Sequence, residues 1–304
     1  MKTARWLSLW AYLLIAATGC QTLGAVSKEM TDYAVSQGAI TQEQAQSINR
    51  AATATGKAFE QITPEQEYYI GRAVAATILA QYKPYVNEKA NRYLNVLGQT
   101  LAAASDKPET FAGYHFLILD TEEINAFAAP GGFILVSRGL LRCCKNEDAV
   151  AAVLAHEIGH VQHGHGVQAI KKSRLTAALT ILAAEGARNL GSRELAELTD
   201  NFEGAVSDVT ATIVNAGYSR KSESEADAAA VRILSRVGYD PAGLKEMLQE
   251  MDKRMQPGGP GFARTHPDPK DRIADIEPLL AGASAPTPQP AARLSRFRAS
   301  LEGV

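Results

Sequence analysis

Apolar positions between residues 146 and 165 recur with helical spacing, and the stretch is apolar enough to form a buried helix. Asn146 can cap the start of this helix through its side-chain oxygen. Glu147 and Asp148 place negative charge at the positive end of the helix dipole. The pattern therefore predicts an α-helix from about 146 to 165, with most of its surface covered by other elements.

The rest of the chain contains several helical stretches and only two strand-like runs. Further helices are predicted at about 63–81, 84–104, 223–237 and 241–255, and 166–218 is helical in composition. Residues 114–119 and 133–137 are rich in aromatic and β-branched side chains and predict two strands, with a Pro-Gly-Gly turn at 130–132. The fold class is therefore predicted to be α+β and mostly helical, with a small sheet beside the 146–165 helix.

The two ends of the chain differ in composition from the middle. A short basic region and an apolar run too short to span a bilayer predict a secretory signal at 1–19. Residues 17–20 resemble a bacterial lipobox, so Cys20 is expected to be lipidated; the alternative is an ordinary signal peptide. Residues 20–61 are predicted to be a linker with short helices and a capping box at Thr41 and Gln44. The main domain is placed at 62–281, and a disordered Pro/Ala-rich tail at 282–304.

Charge and cysteine content narrow the possible functions. The 31 basic and 33 acidic residues give a net charge of −2 with no basic stripe, so nucleic-acid binding has no support. No segment after the signal reaches transmembrane length. Of the three cysteines, Cys143 and Cys144 are adjacent, and a disulfide between neighbours is strained. We therefore expect two reduced, partly buried thiols that do not bind metal.

The 146–165 helix carries two histidines and a glutamate in the sequence His-Glu-Ile-Gly-His. Residues four apart share one face of a helix, so His156 and His160 can each offer a ring nitrogen to one metal ion. Glu157 can reach a water on that metal and act as a general base. The alternative is an ordinary helix with two buried or capping histidines.

A second acidic motif lies in the predicted helix at 223–237. Glu223 and Asp227 are also four residues apart, and a catalytic zinc takes three protein ligands and leaves one position open. Glu223 is the candidate third ligand. Asp227 can accept a hydrogen bond from a ligating histidine and so fix its tautomer. Glu225, on another face of the same turn, is interpreted as a solvated residue.

Several separated motifs resemble, in the same order, those of the HtpX/BepA/LoiP-type zinc metallopeptidases, relatives of the CAAX prenyl endopeptidase. The likeness covers roughly residues 62–280. The matching segments are 125–132 with 133–139, 146–148, 156–160 with His165 beyond, 223–227, and 265–267 with Arg272 and Ile273. The resemblance implies a zincin-like (gluzincin) metallopeptidase domain that holds one Zn²⁺ per chain.

The resemblance also suggests roles for the C-terminal motif and for the sheet. His266 and Arg272 are candidate donors to the oxyanion of the transition state, and His266 can alternatively occupy the open metal position and hold the enzyme latent. A peptide substrate needs an exposed strand edge. The candidate edge consists of Phe133, Ile134, Leu135, Val136 and Ser137, with a fully internal strand as the alternative.

The expected function is that of a zinc endopeptidase of the bacterial cell envelope that degrades misfolded or damaged envelope proteins. It is expected in the periplasm, anchored through Cys20 to the outer membrane more readily than to the inner. One alternative is a non-proteolytic chaperone or assembly factor for outer-membrane proteins, which would not need Glu157. A second is a zinc hydrolase that cleaves a non-protein amide such as peptidoglycan.

Overall fold

The computed structural model describes residues 21–38, 40–46, 49, 62–169, 210, 213–214, 217–254, 266, 268–281 and 290–304. The chain forms two compact units, one of residues 1–61 and 170–205 and the other of 62–169 and 206–304. The predicted signal, Cys20 and most of the helical stretch at 166–218 lie outside the described residues. None of the described helices has the length and apolar character needed to cross a membrane.

In the first unit, the described part begins with helix α1 (Gln21–Ser36). The capping box is confirmed, because the Thr41 N–H donates to Gln44 Oε1 at 2.9 Å and the Gln44 N–H donates to Thr41 Oγ1 at 3.2 Å. The Asn49 amide donates to Thr31 Oγ1 at 2.7 Å and ties the following segment to α1. This part is thus one long helix followed by a short helical turn.

The second unit is mostly helical and contains one three-stranded sheet, which confirms the predicted fold class. Its elements are α2 (Pro64–Gln81), α3 (Glu88–Ala103), β1 (His115–Leu119), β2 (Ala126–Ala129), a 3₁₀ turn (Pro130–Gly132), β3 (Phe133–Ser137), α4 (Arg138–Leu141), α5 (Glu147–Gln162), α6 (Arg220–Arg236), α7 (Ala242–Arg254), α8 (Pro269–Ala281) and α9 (Ala291–Leu301).

Side-chain caps set where these helices begin. Asn146 Oδ1 accepts the Ala149 N–H at 2.8 Å, which confirms the predicted start of α5. The prediction that α3 begins at about residue 84 is wrong by four residues. Pro84 instead forms a β-bridge with Leu119, and Asn87 caps the helix that follows.

The sheet has the order β1-β3-β2, with β1 parallel and β2 antiparallel to β3. The prediction that Phe133–Ser137 is a substrate-binding edge strand is therefore wrong: this strand is β3, and both of its edges are paired. Strand β2, at Ala126–Ala129, was not predicted as a separate strand. Its Ala-Phe-Ala-Ala sequence has little β-propensity, so pairing with β3 rather than local preference makes it a strand.

The outer edge of β1 is covered by side chains of α3. The residues involved are one turn apart: Asn91, Asn95 and Gln99. For example, Asn95 accepts the Phe116 N–H at 3.2 Å and donates to the Phe116 carbonyl at 2.7 Å. These amides satisfy backbone groups that an edge strand would otherwise leave without partners.

Helix α5 lies at the centre of the second unit, and its residues from Glu147 to Val161 are all buried. It packs against the sheet and against α3, α6 and α7. The closest approach is to α6 at Gly159, where an added Cβ would lie 2.9 Å from the Ala226 carbonyl oxygen and 3.2 Å from Ala229 Cβ. A glycine is therefore required at this contact.

The predicted disorder of the tail is wrong for residues 290–304, which contain helix α9; residues 282–289 lie outside the described part. The basic residues that suggested a solvated tail bind the start of α5. Arg296 Nε donates to the buried Glu147 at 2.9 Å. Arg293 lies 3.2 Å from Asp148 and 4.0 Å from the centre of the Tyr239 ring. Docking against these groups offsets the entropy cost of ordering the segment.

We expect Gly159→Ala to lower the free energy of unfolding by about 1–3 kcal/mol, as overpacking in a core does. It should also reduce the metal bound per chain, because the added methyl group meets the backbone of α6. Denaturant unfolding and metal analysis measure the two effects. A matched control is Gly98→Ala on α3, where the added group meets the Phe116 ring and should lower stability alone. Equal loss of metal in both variants would contradict this prediction.

Candidate metal centre

Three of the predicted ligands converge between α5 and α6. Helical spacing brings His156 Nε2 and His160 Nε2 to within 3.1 Å of each other. Glu223, in the first turn of α6, approaches His160 Nε2 at 3.3 Å and His156 Nε2 at 3.5 Å. All three side chains are at most 2% exposed. The structure therefore brings together the two histidines and the glutamate that the sequence suggested.

These separations fit a tetrahedral metal ion. Zn–N bonds of about 2.0–2.1 Å place neighbouring ligand atoms about 3.3 Å apart, and the observed values lie between 3.1 and 3.5 Å. Glu223 Oε1 is buried and lies 3.3 Å from His160 Nε2, but it makes no hydrogen bond within the described residues. Because an unpaired buried carboxylate oxygen is costly, a bound cation would stabilise it.

His156 contacts Asp227, the third acidic residue of α6. Its Nδ1 lies 2.9 Å from Asp227 Oδ1, which leaves Nε2 for the metal. Arg272, from α8, donates to both Asp227 oxygens at 2.6 and 3.0 Å. Burial and Arg272 lower the pKa of His156, but Asp227 and Glu223 outweigh them and raise it to about 9. The surrounding carboxylates thus stabilise positive charge at this position.

His160 is oriented by a different pair of residues. Its Nδ1 lies 2.8 Å from His165 Nδ1, and His165 Nε2 lies 3.1 Å from Glu225 Oε2. Burial lowers the pKa of His160 to about 3, so its imidazole is neutral, as a metal ligand must be. Glu225 was interpreted as solvated, and its side chain is 38% exposed, but its carboxylate also contacts the buried His165, which was not predicted.

Glu157 and His266 complete the group of polar side chains at the metal centre. Glu157 is 2% exposed, and burial raises the pKa of its carboxyl group, which suits a proton acceptor at neutral pH. His266 Nδ1 lies 2.8 Å from Glu223 Oε2. One ligand-capable atom of His266 is within 4.8 Å of those of His156, His160 and Glu223. His266 is therefore close enough to join the ligand set.

Tyr218 links this centre to the sheet, and its role was not predicted from the sequence. Its ring stacks on His160 with 4.4 Å between centroids, and its hydroxyl donates to the Ala128 carbonyl of β2 at 3.2 Å. Nothing in the local sequence of Tyr218 distinguishes it from other tyrosines.

Comparison with known proteins agrees with this geometry. The profile of Peptidase family M48 matches residues 88–279. The chain is 31% identical over 199 residues to the beta-barrel assembly-enhancing protease of Escherichia coli (strain K12), covering 63% of this chain and 39% of that protein. It is 35% identical over 162 residues to the mitochondrial metalloendopeptidase OMA1 of Schizosaccharomyces pombe, covering 51% and 43%. For the metalloprotease LoiP of Escherichia coli the identity is 27% over 167 residues, covering 55% and 63%. The chain thus matches less than two thirds of the length of each relative.

We expect Glu223→Ala to abolish stoichiometric metal binding, because it removes one of three ligands. Asp227→Asn should keep the metal but weaken its affinity about 10- to 100-fold, as loss of an orienting partner does. Metal content and chelator competition measure both effects. Glu277→Gln removes an exposed carboxylate elsewhere in the unit and is the control. Unchanged affinity in Glu223→Ala would mean that the third ligand is another residue.

Proposed function

The chain belongs to Peptidase family M48, as its resemblance to the HtpX/BepA/LoiP-type enzymes predicted, and we propose that it is a zinc-dependent endopeptidase of the bacterial cell envelope. The observation that carries this proposal is the convergence of His156, His160 and Glu223 beside a buried Glu157. A metal-binding scaffold needs the three ligands but has no use for an additional buried carboxylate.

In the proposed mechanism, His156, His160 and Glu223 would hold a zinc ion, and that ion would supply a Lewis acid that polarises the peptide carbonyl and makes water acidic. Glu157 accepts a proton from the attacking water and returns it to the leaving amine. We assign Arg272 a positioning role rather than that of an oxyanion donor, because its Nε and Nη2 donate to Asp227. His156 and His160 are held with their Nε2 atoms toward the metal by the partners described above.

We propose that the outer edge of β2 receives the extended substrate. The Ser137 N–H donates to the Asn125 carbonyl at 3.0 Å, so the alternation of an antiparallel pair turns the backbone groups of Ala126 and Ala128 outward. In the structure, the Asn125 side chain accepts the Ala126 N–H and Tyr218 donates to the Ala128 carbonyl. A bound peptide would replace these side-chain contacts with backbone hydrogen bonds.

We further propose that His266 keeps the enzyme latent by taking the fourth ligand position. Two observations support this role: the 2.8 Å contact with Glu223 and its place in the four-residue ligand cluster. A side chain in that position would exclude the water that the reaction needs. The enzyme would then become active only when the His266 side chain leaves that position.

The proposed cellular role is degradation of misfolded or damaged envelope proteins in the periplasm, with Cys20 as a lipid anchor in the outer membrane. The N-terminal sequence pattern and the name of the beta-barrel assembly-enhancing protease support this setting. The words assembly-enhancing in that name also keep one alternative under test, a non-proteolytic assembly factor for outer-membrane proteins, although the same name says protease. The experiment on Glu157 distinguishes the two functions.

We expect Glu157→Gln to keep its fold and metal content but to lower hydrolysis of casein by roughly 10²- to 10⁴-fold, as loss of a general base does. Metal analysis, circular dichroism and a protease assay measure the three properties. Protein that holds zinc but does not cleave casein, either as wild type or as the unlatched His266→Ala variant, would favour the assembly factor. Activity near that of wild type in the variant would remove Glu157 from the mechanism.

We expect His266→Ala to raise peptidase activity and to speed removal of zinc by a small chelator, because the fourth ligand position becomes open. If His266 were an oxyanion donor instead, the same change would lower turnover by roughly 10²- to 10³-fold. Turnover and the rate of zinc removal are measured on the same preparation. A fall in turnover, or no change in either quantity, would contradict the latency role.

A further inference from the structure

The two histidines of the metal centre are oriented by chains of contacts that end differently. His156 contacts Asp227, which is buried and held by Arg272 through two hydrogen bonds. His160 contacts His165, whose side chain is 1% exposed, and His165 contacts Glu225, whose side chain is 38% exposed. The second chain therefore runs from a metal ligand to the protein surface.

Because Glu225 is a carboxylate, it determines which atom donates in each hydrogen bond of this series. An ionised carboxylate can only accept, so His165 Nε2, 3.1 Å from Glu225 Oε2, must carry the proton. Neutral His165 then has a lone pair on Nδ1. His160 Nδ1, 2.8 Å away, must donate to that lone pair. As a result His160 Nε2 has no proton and can bind a metal.

Without Glu225 the direction of hydrogen-bond donation between the two histidines can reverse. Either ring nitrogen of a neutral histidine can hold the proton, and which one does so is set by the hydrogen bond that the other makes. His165 could then protonate on Nδ1 and donate to His160, which would leave the proton of His160 on Nε2. That tautomer cannot bind the metal through Nε2, the atom that faces His156 and Glu223.

We propose that Glu225 and His165 are positioning residues that hold His160 in its metal-binding tautomer through a relay of two hydrogen bonds. This inference rests on the proposed metal site. It gives Glu225, two residues beyond the ligand Glu223, a role of its own in metal affinity. Its other contact, the surface ion pair with Lys221 at 3.7 Å, contributes little because both side chains are exposed.

The test is zinc affinity of the full-length protein, measured by competition with a chelator of known affinity. Glu225→Ala should weaken zinc binding about 10- to 100-fold, as loss of an outer-shell partner does. Lys221→Ala removes the surface ion pair but leaves the relay intact, so its affinity should equal that of wild type. Glu225→Gln should lie between, because its amide can accept the His165 proton but can also donate.

A second measurement separates the relay from a merely structural role. Long-range proton–nitrogen NMR spectra of the metal-free protein show which ring nitrogen of each histidine is protonated. Wild type should show His165 protonated on Nε2 and His160 on Nδ1, whereas Glu225→Ala should show a mixture of tautomers. Folding is not at risk in this variant, because Glu225 is partly exposed on a helix surface.

Either of two affinity results would overturn the relay: wild-type affinity in Glu225→Ala, or equal loss of affinity in Lys221→Ala. Unchanged tautomers of His160 and His165 in Glu225→Ala would also overturn it. Failure of the wild-type protein to bind zinc would instead contradict the proposed metal site. In that case the NMR spectra of the metal-free protein would still decide whether Glu225 sets the tautomers.

Discussion

The close contact between α5 and α6 is the constraint on which the metal centre depends. Two of the proposed ligands lie on α5 and the third on α6, so the distances between ligand atoms follow the separation of the helices. Gly159 sets that separation, because its missing side chain lets the backbone of α6 approach at Ala226. The small residues facing it, Ala226 and Ala229, are fully buried. Close packing in this region is therefore part of the catalytic geometry.

The features that could be predicted from the sequence are those that local geometry determines. His156 and His160 meet because residues four apart share a face of any helix. The caps at Asn146 and Thr41 follow from hydrogen bonds between near neighbours. Local geometry does not pair Glu223 with α5. Glu223 was suggested as a ligand because a catalytic zinc takes a third protein ligand and because the motifs occur in the family's order.

The features that were missed depend on contacts between distant segments. Strand β2 forms because β3 pairs with it, and that pairing is also why β3 is not an edge. Helix α9 looked like a solvated tail because the partners of its arginines, Glu147 and Asp148, lie more than a hundred residues earlier. Glu225 looked solvated because its partner His165 is 60 residues away. In each case the role of a polar or small residue is determined by contacts that exist only in the folded chain.

Among the described residues, the first part of α6 carries three carboxylates of the metal centre. One belongs to the proposed ligand, and the other two help to orient His156 and His160. Glu223 faces the metal position, Asp227 holds His156, and Glu225 holds His160 through His165. Glu223 and Asp227 are four apart and share one face of α6, whereas Glu225 lies between them and leaves the helix in a different direction. Helix α5 supplies the histidine nitrogens, and the carboxylates of α6 determine which of those nitrogens carry no proton and can bind a metal. The affinity for metal is thus a property of how these two helices pack, and not of the ligands alone.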